Sequence, residues 1–152
     1  LMHSLQSLNK GNCLRNGGED MPWAPNLSIG VRHIDEQHKT LFEKADMLFE
    51  AGKNKQAKEY IGELLEFLDQ YTKQHFVDEE NYMRSINYPG YEEQKKAHEG
   101  FTKQLAELRN EYETSGGNIL VIINANTMVI EWLTKHISLM DKKIGEFAAQ
   151  RT

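Results

Sequence analysis

Four stretches of the chain place apolar side chains three and four residues apart, and none of it alternates polar and apolar residues as a strand would. Such spacing gathers the apolar residues on one stripe of an α-helix, so this chain builds an interior only where several stripes meet. The first stretch runs through Leu41, Phe42, Ala45, Leu48 and Phe49 and stops at Gly52 and Asn54, with Asp35 placed to cap it. The second, residues 56–85, carries Tyr60, Ile61, Leu64, Leu65, Phe67, Leu68, Tyr71, Phe76 and Met83 with no proline. Asn87, Pro89 and Gly90 make a turn, and residues 91–112 repeat the pattern through Ala97, Phe101, Leu105 and Leu108. Ser115, Gly116 and Gly117 break the chain before a fourth, more apolar helix over residues 118–138, and a short helix follows to about residue 150. Short connections between helices of similar length predict an all-α, up-down-up-down four-helix bundle.

The 152 residues suit one domain, expected over residues 22–150. Residues 1–21, rich in Gly, Asn and Ser, read as a disordered leader that holds His3 and the single cysteine, Cys13. They lack the continuous apolar run of a signal peptide, and one cysteine allows no internal disulfide, so a reducing cytoplasm is expected. A net charge of -5 without a Lys/Arg block argues against nucleic acid. The most apolar stretch, residues 119–133, is interrupted by Asn124, Asn126 and Glu131 and is too short to cross a bilayer. A monomer is expected, and no protein partner can be read from the residues.

Chemistry enters with histidines and acids on the apolar stripes: His38 on the first helix, His75 and Glu79 on the second, His98 on the third, His136 on the fourth, and Asp141 beyond it. Any one of them alone is unremarkable. Together they would be costly to bury without partners or a metal. At 3.6 residues per turn, the step from His75 to Glu79 turns side chains by only about 40°, so both face one centre. The step of five from His136 to Asp141 turns them by about 140°, so the fourth helix must loosen or end near Ser138 if both are to meet there. Imidazole with carboxylate suits Fe, Mn or Zn, and a carboxylate has two oxygens with which to bridge two cations.

These residues are similar to those of the hemerythrins, and in particular of the single-domain bacterial hemerythrins. The resemblance spans residues 23–147: Leu27, Gly30 and Val31, then IDEQHKTL (34–41), HFVDEENYM (75–83), the YPGY turn (88–91), HEGF (98–101) and WLTKHISLMD (132–141). It implies a non-haem di-iron site, oxo- or hydroxo-bridged, that binds dioxygen reversibly. Glu79 and Asp141 would be the bridges and His38, His75, His98 and His136 the terminal ligands. Leu41, Phe76, Trp132, Leu133 and Ile137 would line an apolar oxygen pocket beside the iron of His38 and His75.

The chain departs from the family at one ligand. Four residues before the histidine matched by His98 the family has a fifth histidine, serving the second iron, and here stands Gln94. Its amide oxygen would coordinate weakly, or the position would be left to water. Glu80 reads as a surface neighbour of Glu79 with a spare oxygen, and His33 as a solvated residue ahead of the first helix. The expected function is dioxygen binding for storage, delivery or sensing, without turnover of a substrate. The alternatives are a di-iron peroxidase or oxidase that exploits the change at Gln94, or an iron or redox sensor acting through a partner.

Overall fold

The computed structural model describes residues 23–151; the leader expected over residues 1–21, with His3 and Cys13, lies outside the described residues. Four helices follow one another: α1 (Arg32–Lys53), α2 (Lys58–Ser85), α3 (Tyr91–Thr114) and α4 (Ile119–His136). A π-helical turn (Ile137–Asp141) leads from α4 into α5 (Lys142–Ala149). Packing of α1 on α2, α2 on α3, α3 on α4 and α4 back on α1 closes a ring around one core. The expected four-helix bundle with its short C-terminal helix is the fold observed, and among the described residues there is no strand.

The apolar stripes meet as their spacing requires. Phe42, Leu48, Leu64, Leu68, Phe101, Ile122 and Leu133 are all fully or almost fully buried, and full burial of such side chains contributes roughly 1.5–3 kcal/mol each. The polar side chains brought into this interior are therefore the exception that needs an explanation. Among the described residues no helix is long and apolar enough to cross a membrane.

The start of α1 differs from the sequence-based expectation. Asp35 does not cap it; the helix begins at Arg32, with Val31 in the cap position, and Asp35 lies in the first turn. Its carboxylate accepts from the Ser28 hydroxyl at 2.6 Å and from the Ile29 amide at 2.8 Å, tying the incoming segment to the helix end. A negative charge in that first turn also favours the helix dipole. His33, expected ahead of the helix, is in its first turn and is exposed as expected.

The C-terminal end of α4 loosens where the spacing requires it. The Lys142 amide donates to the Ile137 carbonyl five residues back, the bonding of a widened turn. In such a turn five residues complete about one revolution, so His136 and Asp141 can face the same side. α5 then returns to the incoming segment, and at Gly145 there is no room for a side chain: a Cβ would lie 1.7 Å from the Ile29 carbonyl oxygen. Gly145→Ala should therefore lower stability by about 1–3 kcal/mol through overpacking. Urea unfolding of the two chains measures this, and an unchanged midpoint would refute the contact.

Candidate metal centre

Each histidine of the site comes from a different helix: His38 from α1, His75 from α2, His98 from α3 and His136 from the last turn of α4. Glu79 follows His75 by one turn of α2, and the π turn delivers Asp141. All six are buried in the bundle interior, Glu79 completely. The ligand-type atoms of Glu79, His98, His136 and Asp141 lie within 4.8 Å of one another, as do those of His38, His75 and Glu79. The structure thus brings together every histidine and acid singled out as a site residue.

The carboxylates divide their oxygens between two pairs of histidines. Glu79 Oε2 stands 3.6 Å from His38 Nε2 and 3.4 Å from His75 Nε2, while Glu79 Oε1 stands 3.1 Å from His98 Nε2. Asp141 repeats this, with Oδ2 3.2 Å from His38 Nε2 and Oδ1 3.2 Å from His136 Nε2. Yet His38 Nε2, His136 Nε2, Glu79 Oε2 and Asp141 Oδ2 are buried without a hydrogen bond. Donor atoms close in distance but unaligned for hydrogen bonding are what ligands aimed at a common cation look like. Nitrogen and oxygen donors of this kind fit iron, manganese or zinc.

Charge balance sets the protonation of the site. Burial alone would lower His38, but the Asp141 and Glu79 carboxylates outweigh it and raise its pKa to about 9. Burial would also lower His98, and the Glu79 and Glu80 carboxylates raise it instead. Burial lowers His75 to about 4. Burial and mutual repulsion would raise Glu79, and burial would raise Asp141, but the facing histidines hold both below the ordinary carboxylate range.

A further layer fixes the rings. Gln37 Nε2 donates to Asp78 at 2.7 Å, so its Oε1 accepts from His75 Nδ1 at 2.8 Å, and His75 Nε2 is left with its lone pair toward the site. Glu80 sits 3.2 Å from His98 Nδ1, on the far side of the ring from Glu79. It supports His98 from outside the cluster, where the sequence suggested a surface acid with a spare oxygen for the metal. Gln37 and Asp78 escaped the sequence reading because their roles depend on contacts between α1 and α2, which no periodicity encodes.

Phe76 stacks on His98 with ring centroids 3.9 Å apart and also reaches His75 at 5.6 Å. Trp132 stacks on His136 at 4.3 Å and on Phe101 at 4.1 Å. The aromatic members of the expected pocket thus lie chiefly against the His98 and His136 half. Leu41, Leu133 and Ile137 are buried in the surrounding core. Gln94 is also buried, and its Nε2 donates to Asp141 Oδ1 at 3.0 Å.

Fold and site together define a four-helix bundle with an interior place for two carboxylate-bridged cations. The chain belongs to the hemerythrin family: the family's model, the hemerythrin HHE cation binding domain, matches residues 29–148. It is 32% identical to a bacteriohemerythrin of Stenotrophomonas maltophilia over 76% of this chain and 72% of that one. It is 31% identical to a myohemerythrin of Sipunculus nudus over 80% of this chain and 88% of the relative. A bacteriohemerythrin of Methylococcus capsulatus is 29% identical over 82% and 94%. The family is one that binds dioxygen at a di-iron centre.

Two measurements probe this arrangement. A metal must displace the proton held by His38, so uptake at pH 7 should release a proton, and affinity should climb with pH until His38 is neutral above about 9. Indicator-dye titration in weak buffer would show it; uptake without proton release would contradict the charge pattern. Gln37→Leu removes the acceptor that orients His75 and should weaken metal affinity by about 10–100-fold in competition with a chelator.

Proposed function

We propose that this chain binds dioxygen reversibly at two iron ions, for storage, delivery or sensing. His38 and His75 would hold one ion and His98 and His136 the other, with Glu79 and Asp141 shared between the two. The observation that carries the reading is the division of each carboxylate's two oxygens between the two histidine pairs. When bound, an iron pair supplies the two electrons and the exchangeable position that reversible capture of dioxygen uses.

The chain's own residues do the rest. Four helices deliver the donors already converged, so little reorganisation accompanies loading. Gln37 and Glu80 hold protons at the outer nitrogens of His75 and His98 and keep the inner nitrogens available. Phe76 and Trp132 cover the rings, and Leu41, Leu133 and Ile137 thicken the apolar surround, which excludes the water and protons that would drive oxidation of the site. The matched family and the relatives give no support to a peroxidase or oxidase.

The test combines metal analysis with absorption. The loaded chain should hold about two irons, gain visible bands on admission of oxygen and lose them when oxygen is removed, with Glu79→Ala abolishing both. Bands that persist after oxygen is removed, or steady consumption of peroxide with a reductant, would replace binding with turnover.

A further inference from the structure

We infer that Gln94 acts on the site by holding Asp141 rather than by ligating a metal, so that the two halves of the centre have equal protein donor sets and each leaves a position for a small anion. The inference rests on the two-metal reading above and concerns what is different about this chain.

Gln94 is 1% exposed and lies one turn before His98 on α3. Its Nε2 is 3.0 Å from Asp141 Oδ1, the oxygen that also faces His136. An ionised carboxylate only accepts hydrogen bonds, so the amide group turned toward it is the NH2. An amide nitrogen has no free lone pair to give a cation. The other branch, Oε1, is buried without a hydrogen-bond partner, as several of the inner donor atoms are, and it is the bond from Nε2 that assigns Gln94 to the carboxylate. Turning Oε1 to face Asp141 would set two acceptors against each other and give up the hydrogen bond.

With Gln94 outside the donor set, the halves can be counted. His38 and His75 serve one, His98 and His136 the other, and Glu79 and Asp141 present one oxygen to each. Each half then offers two imidazole nitrogens and two carboxylate oxygens. Iron with a mixed histidine and carboxylate set of this size accepts further ligands. The position beside Gln94 is therefore open to exchange. A histidine at residue 94 would close it with an imidazole nitrogen.

Azide is a suitable probe because it binds ferric iron and changes its visible absorption. The full chain, loaded with ferrous iron without oxygen and oxidised by a one-electron oxidant, would be titrated with azide by absorption and calorimetry, with iron measured on the same samples. The native chain should bind about two azides per iron pair, Gln94→Leu also about two, and Gln94→His about one. Circular dichroism confirms that the variants fold. A native chain that saturates at one azide, like Gln94→His, overturns the inference. Fewer than two irons in the native chain overturns the two-metal reading itself, and this inference with it.

Discussion

Two carboxylates that must share the dry centre of a helical bundle govern the rest of this structure. Glu79 and Asp141 are buried among leucines and aromatic rings, where an isolated charge is strongly disfavoured and two of like sign more so. The facing histidines answer that charge, and His38 does so most clearly, holding a proton well past neutrality. This arrangement is poor evidence for stability, since apolar side chains of similar volume would pack the same space at less expense of desolvation. The layers of Leu, Ile and Phe on either side hold the bundle together and tolerate a polar layer between them.

The backbone bends to the same requirement. A regular helix from Ile119 through Ala149 would turn Asp141 away from His136, leaving one acid to face four histidines. The π turn resolves this by widening the helix where the site needs a side chain re-aimed. Closure at Gly145 follows, since the re-aimed helix brings α5 onto the Ile29 backbone closely enough that only glycine fits. One residue of extra helical turn thus links the metal centre to the way the bundle seals its end.

Much of this was legible in the residues because periodicity speaks directly about faces. The three-to-four spacing defined the helices to within a few residues, and the step of five between His136 and Asp141 already demanded a loosened helix. The start of α1 is not legible locally, because Asp35 is a good cap by type and only the fold reveals that it bonds Ser28 and Ile29 instead. The place of Glu80 is hidden for a similar reason. Sequence spacing puts it beside Glu79, but a helix turns adjacent residues about 100° apart, so it meets the opposite edge of the His98 ring. Contacts between helices, such as Gln37 with His75, leave no local trace at all.

The four imidazoles are not held alike, and the difference lies in their outer edges. His75 is fixed by Gln37 and Asp78, His98 by Glu80 and the face of Phe76, and His136 by the plane of Trp132. His38 is the exception: its Nδ1 is buried without a hydrogen-bond partner, and its Nε2 lies near both carboxylates without aligning to either. An imidazole oriented by packing and by the site's charge alone depends on what occupies that site more than its neighbours do. His38 also carries the proton that a cation must displace. It is therefore the side chain through which loading of the centre is coupled to pH.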